Sequence, residues 1–249
     1  MFRSKNLIHS NIKKAIPNSN YEELNKITKL MWNNYGRIFA EYMFIKEFRL
    51  GKLKSKIKIE GQEILDDIKK NNKQVVFISG HFSNFELMAM HLENSGIKLS
   101  AIYRPLNNIF LNKIMERIRK KYICKNQIKK GIGGTKELID LIKKKNSIAL
   151  MVDQRLGESK RYPFFGKPAH TTTLPAQLAL KFNCKIIPIF LKRDKNNFFL
   201  MEILNPINFE KTADFEKDKE NITIKINQII EKMIKRNPGQ WIWTHGRWK

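Results

Sequence analysis

Apolar and polar positions divide this chain into short runs that switch between two periods. Val75 to Ser79 (VVFIS) is a partly β-branched apolar run fit for a buried strand. Gly80 punctuates it, and Phe85, Met88, Ala89 and Leu92 then recur at helical spacing until Gly96. The alternation repeats downstream. LSAIYRP (99–105) reads as a strand, NNIFLNKIMERIRKKY as a helix, GIGGTKELIDLIKKKN as a turn and a helix capped by Thr135, and SIALMVDQRLG (147–157) as a strand with a polar end. TTTLPAQLALKFN is then a capped helix, KIIPIFLKRD and NFFLMEILNPI are strands, and ENITIKINQIIEKMIKRNPG is a helix closed by Pro238-Gly239. Strands alternating with helices predict an α/β fold: a mainly parallel sheet flanked by helices.

Ahead of this alternation, residues 1–57 read as a helical lead-in, because Leu24, Ile27, Met31, Tyr35, Ile38, Tyr42 and Ile45 recur in steps of three and four. A helix that mixes apolar, aromatic and basic residues either packs on its own domain or lies in a membrane interface. Residues 58–249 form the α/β domain. With 249 residues, the whole chain is expected to bury one substantial core and fold as one unit.

Charge narrows the partners. The chain carries 48 basic against 23 acidic residues, a net charge of +25, spread through segments such as KLKSKIKIE, IRKKY and IKKKN. Such a field favours nucleic acid, anionic lipid headgroups or an acidic carrier protein. No helix-turn-helix, RNP or zinc-finger signature accompanies it, so nucleic acid is not the expected partner. Cys124 and Cys184 stand far apart in no metal-binding or redox spacing and are expected to be free thiols, with no metal site. The start lacks the apolar core of a secretory signal, and no run approaches the ~18–20 apolar residues that span a bilayer. A membrane role is therefore expected from the surface. The glycines of GIGG lack both the P-loop ending and the dinucleotide spacing, and read as a turn.

The candidate chemistry gathers at strand ends. His81 follows the strand Val75 to Ser79, where open α/β sheets place their ligands. Glu86 lies five residues on; folded back, its carboxylate would hold one imidazole nitrogen and leave the other to take a proton from a substrate hydroxyl. Asn84, between them, is a possible donor near the helix start. Arg104 ends a strand expected to lie beside that of His81, and Arg119 projects from the next helix; either would grip phosphate or an oxyanion. Asp153 and Gln154 end another apolar run, where a polar residue demands a reason. In the loop RYPFFGKPAHTTTLPA, Phe165 and Gly166 are a candidate wall for an apolar chain. The end, PGQWIWTHGRWK, holds three of the four tryptophans and suits either a lipid interface or an anchor on the core.

Taken in order, GHFSNFE, YRP-x-NN, Arg119, GG-x3-L-x2-L-x2-K, MVDQ, PFFGKPAHTT, the strand containing Pro188 and QWIWTHGRWK resemble the lipid A late acyltransferases, from about residue 10 to the end. The glutamate of the motif, where glycerol-phosphate acyltransferases carry aspartate, favours that branch. The resemblance implies a glycerolipid-acyltransferase-like fold and transfer of a fatty acyl group from acyl-carrier-protein thioester to a hydroxyl on a phosphorylated glucosamine lipid. In it His81 is the base, Glu86 its orienter, and Arg119 and Asp153 further site residues. A thioester is already activated, so neither metal nor cofactor is expected. A peripheral enzyme at the cytoplasmic face of the bacterial inner membrane is the implied location. Another glycolipid or phospholipid acceptor, or acyl-coenzyme A as donor, fits the same chemistry. The chain departs from the family in starting after the usual anchor helix and in carrying Gly246 where arginine is frequent.

Overall fold

Val75 and Phe77 point to one side of their strand and Val76 and Ile78 to the other, and all four are buried, so this strand needs cover on both faces. The computed structural model, which describes residues 4–155 and 159–249, supplies it with two helical layers. In chain order the elements are α1 (Lys5–Ala15), α2 (Tyr21–Glu41), α3 (Ile45–Arg49), β1 (Ile57–Glu60), α4 (Gln62–Lys70), β2 (Val75–Ser79), α5 (Glu86–Asn94), β3 (Leu99–Tyr103) and α6 (Ile109–Ile118). They continue with β4 (Asn126–Lys129), α7 (Ile132–Lys143), β5 (Ser147–Met151), β6 (Arg161–Phe164), β7 (Lys167–His170), α8 (Leu174–Phe182), β8 (Lys185–Arg193), β9 (Phe199–Ile203) and α9 (Phe215–Arg236).

Seven strands form one sheet in the order β1-β9-β8-β2-β5-β3-β4. β8, β2, β5, β3 and β4 run parallel; β9 is antiparallel to β8 and carries β1 parallel to itself at the edge. The face of Val75 and Phe77 packs on α3, α4 and α5 through residues such as Phe48, Leu65 and Leu87. The face of Val76 and Ile78 packs on α1, α2, α7, α8 and α9 through residues such as Ile12, Met31, Leu138, Leu178 and Ile230. The lead-in thus contributes to both layers. α5, which follows β2, and α8, which follows the β6–β7 pair, cover opposite faces.

Three local expectations change. β3 is not the neighbour of β2, because β5 inserts between them. The segment RYPFFGKPAHTTTLPA (161–176) is not merely a loop: β6 and β7 form a hairpin in which Pro163 lies opposite Pro168, a pairing tolerated because this two-stranded ribbon stands outside the main sheet. The residue before α7 is Gly131 rather than a capping Thr135, whose hydroxyl instead donates to the Gly131 carbonyl. Gly134 has a packing reason, since a Cβ there would lie 1.7 Å from the Lys129 carbonyl oxygen. The polar end expected after β5 extends to residues 156 and 157, which lie outside the described ones. Among the described residues no helix is long and apolar enough to cross a membrane.

Candidate active site

Register brings the central pair together. β2 and β5 run side by side with Ser79 opposite Met151, and Val152 N–H still donates to the Ser79 carbonyl, so the next step places His81 opposite Asp153. The Asp153 Oδ1 and His81 Nδ1 are 2.8 Å apart, and Oδ2 accepts the His81 backbone N–H at 2.8 Å. Oδ2 also accepts the Trp241 indole N–H at 2.7 Å. Gly80 permits this closeness: a Cβ on it would stand 3.2 Å from the carboxyl and 2.7 Å from the Phe82 ring.

Asp153 is 1% exposed. Burial by itself would raise its pKa, but the His81 charge and donors, with the Trp241 indole, outweigh it and hold the carboxyl well below the usual carboxylate range. An ionised Asp153 requires Nδ1 to carry the proton. In the neutral imidazole this leaves Nε2 as the accepting nitrogen, and among the described residues no hydrogen bond is made to it. The His81 side chain keeps 18% of its surface exposed, with Phe85 edge-on at 4.6 Å. The pair has the geometry of the imidazole–carboxylate half of a Ser-His-Asp triad, with the imidazole partly exposed. The buried Cys124 thiol is no substitute nucleophile, since burial and then Glu93 push its pKa up to about 12.

Glu86, expected to orient His81, does something else. It opens α5 and its Oε1 accepts from Arg119 Nε at 2.9 Å, from Arg119 Nη2 at 2.5 Å and from the Tyr42 hydroxyl. No hydrogen bond joins it to His81 among the described residues. The turn from Gly80 to Phe85, with Ser83 in the left-handed region at φ 47°, sends Glu86 toward Arg119, while the neighbouring strand end meets the imidazole from the other side. Burial opposes the Arg119 charge, yet the Glu86 carboxylate raises its pKa above the ordinary value. Burial and then Glu86 push the Tyr42 hydroxyl up as well. Asn84 is engaged elsewhere too, since its Nδ2 donates to Glu41 at 2.8 Å, and Glu41 pairs with the buried Arg193. Its donor is therefore committed away from His81.

The remaining expected residues scatter. Arg104 is exposed at the end of β3, one strand removed by β5, and Gln154 is half-buried beside Asp153. Phe165 and Gly166 are the positive-φ residues between β6 and β7; Phe165 packs on Phe164, with its N–H donating to Glu231 of α9 at 2.7 Å. They face α9 rather than join the His81 cluster.

Sequence reading missed the second role of the C-terminal segment. Trp241, Trp243 and Arg247 are buried, which makes this segment an anchor, and the anchor also reaches the site. Phe82 bridges to Trp241, Ser83 N–H donates to the Gln240 carbonyl at 3.0 Å, and Trp241 holds Asp153. Arg247 lies 3.7 Å over the Phe164 ring and donates to Asn227 Oδ1 at 2.6 Å and to the Asp153 carbonyl at 3.4 Å. Burial pulls its guanidinium down to about 10 against the opposing effect of Asp153 and Glu231. Three indoles with an arginine in twelve residues were the available signal.

A sequence profile described as bacterial lipid A biosynthesis acyltransferase matches residues 1–249. Lipid A biosynthesis acyltransferase 2 of Shigella flexneri is 25% identical over 196 residues, 78% of this chain and 61% of the relative. A lipid A biosynthesis acyltransferase of Haemophilus influenzae is 28% identical over 205 residues, 80% of this chain and 62% of the relative. The chain thus spans about three fifths of the length of these two relatives. The lipid A biosynthesis palmitoleoyltransferase of Escherichia coli K12 is 22% identical over 254 residues, 99% of this chain and 79% of the relative.

Proposed function

Because the chain belongs to the bacterial lipid A biosynthesis acyltransferase family, we propose that it moves a fatty acyl group from an acyl-carrier-protein thioester to a hydroxyl of a phosphorylated glucosamine lipid. One observation carries the assignment of the chemistry: a histidine at a strand's carboxyl end, fixed at Nδ1 by a buried carboxylate with Nε2 open. Nε2 takes the acceptor hydroxyl proton as that oxygen attacks the thioester carbonyl; the C–O bond forms, the C–S bond breaks, and the proton passes from His81 to the departing thiolate. No acyl-enzyme is needed. Arg119, immobilised by Glu86, supplies a fixed positive charge for phosphate or oxyanion, and the +25 field favours the acidic carrier and anionic lipid. The protein would work from the cytoplasmic face of the inner membrane, bound at its surface.

His81→Ala is the test. Transfer from acyl-carrier protein to a lipid A precursor, followed by mass spectrometry, should fall by about 10² to 10⁴-fold in a folded variant. Near-wild-type turnover would remove His81 from the mechanism.

A further inference from the structure

Two exposed apolar segments of this molecule meet at a single carboxylate. Met43 and Phe110 are each 81% exposed. Met43 lies with Phe44 in the turn Tyr42–Phe44, and Phe110 lies on α6 with Ile109, Leu111 and Ile114, all more than half exposed. Tyr42 of the first segment and Arg119, the residue after α6, both donate to Glu86 Oε1. That carboxylate ties the two segments together five residues along the chain from His81.

α6 is well built for something so bare. None of its ten residues is buried, yet Asn108 Oδ1 caps it by accepting the N–H groups of Phe110 and Leu111 at 3.0 Å. An isolated helix shorter than about 12 residues is marginal in water, and an open apolar face of this kind marks an interaction surface. Its surroundings identify the occupant. Lys113, Arg117, Lys120 and Lys121 are exposed along the same stretch, with Lys46 beside Met43 and Phe44. Apolar tips among long cationic side chains complement a bilayer interface of negative charge, where the tips enter and the amines stay at headgroup level. A partner that offered negative charge alone would satisfy the cations and leave Phe110 and Met43 in water.

We propose that the turn Tyr42–Phe44 and helix α6 together form the surface by which this protein docks on an anionic phospholipid bilayer. The lead-in helix around Trp32 is not the inserting element in this arrangement, since Trp32 packs against the core. The proposal deepens the acyl-transfer reading and rests on it for its purpose, delivery of a lipid hydroxyl toward His81 from the membrane.

Docking can be measured without turnover. Phe110→Glu and Met43→Glu should each weaken binding to phosphatidylcholine–phosphatidylglycerol vesicles by about tenfold or more, while Phe215→Glu, the same charge change on the exposed start of α9, should leave it unchanged. A Phe110→Cys chain labelled with an environment-sensitive fluorophore should shift to the blue on those vesicles; both native cysteines are buried, so the label is selective. Wild-type binding by Phe110→Glu, or a label that stays in a water-like environment, overturns the proposal. So does a Phe110→Glu chain that binds vesicles normally but loses affinity for acyl-carrier protein, which would make this surface a carrier site. A chain that docks as described yet transfers no acyl group refutes the function above and leaves this surface standing.

Discussion

Asp153 carries more of the site than any other single residue, because its two oxygens accept from His81 twice and from Trp241 once. Asp153→Asn keeps the size and removes the charge that fixes the Nδ1–H tautomer, so turnover should drop by about 10² to 10⁴-fold in a steady-state assay. The same carboxyl has a stability signature. Its folded pKa lies below the unfolded value, so its contribution is present above pH ~4 and is lost as pH falls through the folded value. Urea unfolding of wild type and Asp153→Asn should therefore differ most near neutrality and converge in acid; a constant difference would refute the linkage. Trp241→Phe removes one donor from Oδ2. The carboxyl's folded pKa should then rise, so the acid loss of stability should set in at higher pH in urea unfolding than it does in the wild type. Arg247 also faces Asp153, so the comparison must leave it in place. Trp243→Phe is the control, since that indole donates to the Pro238 carbonyl, and it should lower stability without moving the pH at which the acid loss sets in.

At the scale of elements, the Glu86–Arg119–Tyr42 cluster joins the start of α5, the end of α6 and the turn after α2. Both charged side chains are largely buried, at 8% and 13% exposure, so removing one leaves the other uncompensated. Glu86→Gln should cost about 3–5 kcal/mol in chemical denaturation. Glu86→Gln combined with Arg119→Met should recover a substantial part of that loss, whereas additive losses would show that the ion pair is not the source. The cluster sits at a helix start and a π-type turn, Arg119–Ile123, which offers its guanidinium sideways to α5.

For the molecule as a whole, α1 and α2 pack in one core layer and α3 in the other, while the C-terminal segment crosses to β2 and β5. A chain tied this way should unfold as one unit. Fluorescence of the tryptophans, three of them C-terminal, and circular dichroism should give coincident urea transitions, and a separate early transition of the lead-in would contradict it. Net charge acts at the same scale. Raising salt from 0.1 M, where the screening length is about 10 Å, to 1 M, where it is about 3 Å, should release much of the protein from anionic vesicles.

What the sequence determines by itself is local. The five-residue run of β2, the glycine that ends it and the helical spacing of α5 place His81 at a strand's carboxyl end, because period and punctuation depend on residues a few positions apart. Short polar edge strands escaped that reading: β1 alternates half-buried and exposed, and β4 is NQIK, so neither shows an apolar run. The hairpin escaped it because each of its strands carries a proline. Only the tertiary structure decided which carboxylate serves the histidine. Glu86 is five residues away and Asp153 seventy-two, yet β5 lies beside β2 and its register sets Asp153 against the imidazole, while the turn through Ser83 carries Glu86 to Arg119. Strand order is settled by burying both faces of the sheet at once, a condition on the whole chain that no local spacing contains.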